Sequence, residues 1–188
     1  MPVLLNLDYR LFKFFNSFAG ISKAWDFTFV ALAEWVIFAL VAGLALFILF
    51  KKDDKKRGAL ALQALASAFV GKVLVVSFIR IFFYRFRPFV AGAVTQLEPH
   101  NPLEASFPSG HATIMFAMAF SVLFGDTKWG IFYFIIALIS SLARVVVGVH
   151  YPMDIFGGML VALLSSIAVK LAWNSLKAKK NKKALLPQ

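Results

Sequence analysis

Four stretches of twenty or so residues, each carrying only one or two charges, constrain this chain more than anything else in it. Phe27 to Phe50, Ala59 to Tyr84, Ile131 to Val149 and Asp154 to Trp173 are each about as long as a helix needs to be to cross the ~30 Å hydrocarbon layer of a bilayer. Ser109 to Phe124 is a further apolar segment, shorter than a usual span and closed by Gly125-Asp126-Thr127. Hydrophobic residues make up 61% of the 188 and charged residues 15%, where soluble domains carry about a quarter charged. The expected fold is therefore an all-α integral membrane bundle of five to six helices, forming a single domain over residues 1–188.

Residues 3 to 18 differ from these runs. Leu4, Leu5, Tyr9, Leu11, Phe12, Phe15 and Phe18 recur at helical spacing, but Asp8, Arg10 and Lys13 interrupt too often for a span. The segment 1–25 reads as an amphipathic helix lying in the membrane interface rather than a secretory signal. No cysteine is present, which excludes a disulfide framework, a thiolate nucleophile and a thiolate metal site. The net charge of +11 would point to nucleic acid in a soluble protein. Here the lysines flank apolar segments, so they set orientation and touch anionic headgroups, and no nucleic acid partner is expected.

Lys51 to Arg57 holds five basic residues against two acidic ones, and the tail 174–188 carries five lysines and no acid. Both are expected on the cytoplasmic side. Threading five spans between them places residues 84–110 and 149–154 on the outer face. Three polar clusters distant in sequence are thereby expected at the extracytoplasmic ends of the helices.

Arg80 and Arg87 are seven residues apart, two turns of helix, so a helix running to Pro88 would stack both on one face. Such a pair suits a tetrahedral oxyanion. Arg85, between them, reads as an interfacial anchor. Phe107-Pro108-Ser109-Gly110-His111 suits a helix start, where free N–H groups and the Ser109 hydroxyl can hold an anion beside His111. Arg144, His150 and Asp154 form the third cluster, with Asp154 close enough in sequence to hold one imidazole nitrogen of His150 and fix its tautomer. Together these residues specify phosphoryl transfer, with arginines and helix N–H groups binding phosphate, one histidine attacking and another protonating the leaving oxygen. Two histidines and one carboxylate among arginines make a poor cation site.

The pattern Arg80-x6-Arg87-Pro88, Pro108-Ser109-Gly110-His111 and Arg144-x5-His150-x3-Asp154 resembles the type-2 phosphatidic acid phosphatase family of membrane lipid phosphatases, over residues 58 to 160. That resemblance implies His150 as nucleophile forming a phosphohistidine, Asp154 orienting it, and His111 as general acid. It also implies Arg80, Arg87, Ser109, Gly110 and Arg144 as the phosphate-binding set, with no metal or other cofactor. The chain departs from the family at Arg80, where lysine is usual, and at Ala143, where serine is usual. Within the family it is similar to bacterial undecaprenyl-diphosphate phosphatases of the bacitracin-resistance type, many of which carry Pro-Ser-Asp-His instead of Pro-Ser-Gly-His. The partner so implied is a lipid phosphate whose tail stays in the bilayer.

Other readings stay open at this point. A phosphatidylglycerophosphate or phosphatidic acid phosphatase, a transferase to another lipid, and a membrane anion binder or transporter all fit the arginines. Glu34, inside the first span, is expected to pair with a site arginine or with Lys72. Lys72 reads as a partner for a polar group in the bundle, and His100, with Glu98 and Glu104, as part of an outer loop.

Overall fold

The computed structural model describes residues 2–49, 55–92 and 94–184, so residues 51 to 54 of the basic loop lie outside it. Every regular element among the described residues is helical. They are α1 (Pro2–Asn16), α2 (Lys23–Glu34), α3 (Val36–Leu49), α4 (Lys55–Phe69), a π-helical segment Val70–Val76, α5 (Ser77–Phe82), α6 (Pro88–Ala91), α7 (Gly110–Leu123), α8 (Thr127–Val146) and α9 (Pro152–Ala184). Three continuous helices are long and apolar enough to cross a membrane: Lys56–Phe82, Thr127–Val146 and Pro152–Lys182. A fourth is the pair α2 and α3, bent by 45°.

The expected straight run from Phe27 to Phe50 is thus two helices, and the bend has a cause in the neighbouring helix. Ser140 donates to the carbonyl of Leu32 at 2.6 Å, and Arg144 donates to that of Ala33 at 3.2 Å. Side chains of α8 thereby engage two carbonyls that would otherwise close the next helical turn, a recognised origin of a kink. The tail expected beyond Trp173 is itself helical to Ala184. Its alanines, lysines and leucines are strong helix formers, and no glycine or proline interrupts them.

α7 is the axis of the bundle. Although only 14 residues long, it packs against α4, α8 and α9, and Ala112, Met115, Phe116, Ala117, Met118 and Ala119 are all fully buried. Ser67 from α4, Ser121 from α7 and Ser166 from α9 meet at its last turn, with Ser121 donating at 2.9 Å to Ser67. Such short hydroxyl links satisfy polar groups where no water is available. α1 docks through Phe12, fully buried and 5.3 Å centroid-to-centroid from Tyr151, and through Asn16, which bonds the carbonyls of Thr95 and Val146.

α9 approaches α7 closely at Gly158, where an added Cβ would lie 2.7 Å from the Ser109 carbonyl oxygen. That contact positions the start of α7 against the start of α9. We expect Gly158→Val to cost about 1–3 kcal/mol through overpacking against rigid backbone. Gly58→Ala, at a position with open space around it, should be neutral or slightly stabilising. Thermal unfolding of the two variants in detergent checks this.

Candidate active site

The three clusters expected from the sequence come together at one end of the bundle. α5 ends at Phe82, and Phe83 is extended, so Arg87 does not continue the helix that carries Arg80. The shared helical face expected for the two arginines is not present. Arg87 instead precedes Pro88 with extended backbone, as a residue before proline prefers, and caps the short α6. The loop still delivers it to the site. Arg87 is 3% exposed and donates to the Val149 carbonyl at 3.3 Å and to the Glu104 carboxylate at 3.1 Å. Arg80 reaches across from α5 to the Pro108 carbonyl at 3.0 Å, and its Nε is buried without a partner.

Ser109 caps α7, its hydroxyl oxygen accepting from the Ala112 N–H at 3.4 Å. A hydroxyl used this way as acceptor keeps its hydrogen to donate. The Ser109 N–H donates to the Asp154 carbonyl at 3.0 Å, which joins the second cluster to the third. Arg144, 1% exposed, rises from the last turn of α8. Its Nη1 pairs with the Glu34 carboxylate and its Nη2 lies 3.0 Å from His100 Nε2, while its Nε is buried and unpartnered. Arg80 and Arg144 therefore each keep one buried N–H group without a partner, a demand that phosphate oxygens would meet.

His150 is 2% exposed and sits in the turn before α9. Its Nδ1 is 3.5 Å from Asp154 Oδ2 and 3.4 Å from the Ser106 hydroxyl, leaving Nε2 as the nitrogen turned away from these groups. Burial pushes the imidazole down to about 3, against the raising pull of Asp154. A neutral ring at physiological pH has the lone pair that a nucleophile needs. Asp154, fully buried, accepts from Ser106 Oγ at 2.5 Å, from the Tyr151 N–H at 2.8 Å and from Arg85 at 2.8 Å.

Arg85 is the site's largest surprise relative to the sequence. It does not anchor at the interface but bridges Asp154 and Asp8 of α1, the latter at 2.5 Å, with its guanidinium 4.0 Å over the Tyr151 ring. Asp8 also accepts from the Met153 N–H at 2.9 Å. Ser106 likewise plays a part that its sequence position alone did not suggest. The one available clue was the rarity of such groups, the single acid of the first helix and a third arginine beside two others.

Glu34 does pair with a site arginine, Arg144, and its other oxygen is 3.7 Å from His111 Nε2. His100 and Glu98 fold over the same place, and burial together with Glu34 pushes Glu98 up to about 7. Glu34, Glu98 and His100 are close enough to one another to offer a cation three donors. Arg144 already bonds two of the three, so this set is built around a guanidinium rather than a metal.

Residues 60–177 match the PAP2 superfamily, and the chain belongs to it. It is accordingly a PAP2-type membrane lipid phosphatase. Among particular relatives, it is 31% identical to undecaprenyl-diphosphatase BcrC of Bacillus subtilis over 84% of this chain and 80% of that protein. Of solved structures, LpxE from Aquifex aeolicus superposes with a TM-score of 0.66 at 25% identity, covering 87% of this chain and 94% of that one. The transmembrane PAP2-type phosphatidylglycerolphosphate phosphatase of Bacillus subtilis shares the fold, with a TM-score of 0.61 at 18% identity over 93% and 88% of the two chains.

Removing Arg85 leaves two buried carboxylates, Asp8 and Asp154, without their shared cation. We expect Arg85→Met to lower stability by about 3–5 kcal/mol, the usual cost of breaking a buried pair from one side. Arg85→Met combined with Asp8→Asn should recover part of that loss, and chemical denaturation in detergent reads both.

Proposed function

We propose that this protein hydrolyses a polyprenyl diphosphate, undecaprenyl diphosphate to undecaprenyl phosphate, through a phosphohistidine on His150 and without a metal ion. The observation that carries this reading is the buried, neutral His150, held through Nδ1 by Asp154 and Ser106 among arginines with unpartnered N–H groups. The terminal phosphate is held by Arg80, Arg87, Arg144, the Ser109 hydroxyl and the N–H groups at the start of α7 around Gly110. His150 Nε2 attacks phosphorus, the bond to the bridging oxygen breaks, and His111 supplies the proton for the departing oxygen. Water then cleaves the phosphorus–nitrogen bond and releases inorganic phosphate. Asp154 stays ionised and stabilises the imidazolium that forms on attack.

Charge neutralisation in this scheme comes from guanidinium groups, which is the support for metal independence. The choice of a polyprenyl diphosphate is supported by the relative named undecaprenyl-diphosphatase at 31% identity over most of both chains. Basic segments at Lys56-Arg57 and Lys177 to Lys182 support a cytoplasmic tail and an extracytoplasmic site. On this reading residues 1–188 form one phosphatase domain, with 1–25 as its interfacial helix. The Glu34–Arg144 contact adds one feature: a carboxylate sits on the arginine that the phosphate needs, so substrate must displace Glu34 or share that guanidinium.

The test is phosphate release by purified protein in detergent with excess chelator. Undecaprenyl diphosphate, phosphatidylglycerophosphate and phosphatidic acid are compared, beside His150→Ala. We expect chelator-resistant release, fastest from the diphosphate, falling by about 10⁴-fold or more in the variant, the scale seen when a nucleophile is removed. Fastest release from either phospholipid would replace the substrate assignment, and release surviving in His150→Ala would remove the mechanism.

A further inference from the structure

Lys72 lies in the middle of a membrane-crossing helix, eight residues before Arg80, and no ion pair or hydrogen bond holds it among the described residues. An unpaired ammonium at that depth is costly and in need of a reason. Its side chain runs along the open face of Gly110. A Cβ on Gly110 would lie 2.6 Å from Lys72 Nζ and 2.9 Å from its Cδ and Cε, so the lysine occupies the space that the missing side chain leaves and would have to shift for any other residue. His111 follows directly, near enough for its charge and that of Lys72 to interact, as do those of Lys72 and Arg80.

The backbone that carries Lys72 is itself unusual. Val70–Val76 is π-helical, a rare conformation that is found preferentially at functional sites. In a plain α-helix Lys72 and Arg80 would point about 80° apart. The wider i→i+5 turns close that offset and bring both cations toward the start of α7.

Lys72 is therefore placed beside the general acid His111, while His150 is held by Asp154 and Ser106. In an in-line displacement the leaving oxygen departs opposite the nucleophile. A monoester leaves as an alkoxide, which needs a proton. A diphosphate leaves as a phosphate monoester, whose second pKa is about 6, so it can depart charged if a cation receives it. We propose that Lys72 binds the retained, lipid-linked phosphate of a diphosphate substrate and so makes this site selective for diphosphates over monophosphates. The assignment rests on the phosphohistidine reading only for which side is the leaving side. In the step, the Nε2–P bond forms, the bond from the terminal phosphorus to the bridging oxygen breaks, and the electron pair goes to that oxygen, which takes the proton from His111 while Lys72 holds the negative charge that the departing phosphate keeps.

The experiment compares Lys72→Met, Lys72→Gln and Lys72→Arg with the natural protein, on farnesyl diphosphate and farnesyl monophosphate in detergent. We expect the two neutral variants to lose roughly tenfold or more in kcat/KM on the diphosphate, the scale of a charge-assisted contact, with little change on the monophosphate. Lys72→Arg should recover most of the loss. Equal losses on both substrates, or none on the diphosphate, would overturn the proposal. Thermal protection by inorganic pyrophosphate and by phosphate provides a readout that needs no turnover. The natural protein should be protected more by pyrophosphate, and that excess should vanish in Lys72→Gln while surviving in Lys72→Arg. No excess in the natural protein would also overturn it. An excess that depends on Lys72 in a protein releasing no phosphate would sink the hydrolase reading and leave the Lys72 assignment standing.

Discussion

A single buried carboxylate organises this end of the molecule. Asp154 has no exposed surface, yet it meets a serine from the loop before α7, a backbone N–H, an arginine and a histidine. An isolated carboxylate at that depth would cost several kcal/mol, and what offsets the cost is that its oxygens are occupied by donors. Those donors come from three stretches of chain: Arg85, Ser106, and the adjacent His150 and Tyr151. Satisfying one charge therefore fixes the loop after α5, the approach to α7, the first turn of α9 and, through Arg85 and Asp8, the docking of α1. The same contacts orient His150.

The arginines form the complementary half. Arg80 and Arg144 each keep one buried N–H without a partner, while Arg87 is spent on Glu104 and the Val149 carbonyl. Glu34 and His100 lie against Arg144, so the resting site holds its most buried guanidinium with internal groups. A phosphate entering this space would exchange those partners for its own oxygens. Preorganised cations of this kind need little rearrangement when negative charge develops at phosphorus, which is the economy that electrostatic catalysis relies on.

Much of this was legible in the residues, and the failures have physical reasons. Membrane helices announce themselves through length and hydrophobicity, so α4 to α5, α8 and α9 were readable directly. The clusters around Arg80, Ser109 and His150 stood out because charged and hydroxyl groups are rare in such a background. Periodicity misled at Arg87: seven residues suggested one helical face, but the chain leaves the helix at Phe83 and turns extended before Pro88. The bend between Glu34 and Val36 was invisible because its cause lies 108 and 111 residues away, in Ser140 and Arg144. Arg85 was misjudged for the same reason, since nothing local reveals that Asp8 and Asp154 converge on it. The π-helical turns around Lys72 have no reliable signature in sequence either.

The central claim is that His150, held by Asp154, becomes covalently phosphorylated. Rapid quench with labelled undecaprenyl diphosphate into base, followed by peptide mass spectrometry, tests it most directly. The account predicts a base-stable, acid-labile phosphate on the peptide containing His150, absent in His150→Ala and formed at a much reduced rate in Asp154→Asn. Turnover with no trappable adduct, or an adduct located on His111, would contradict it.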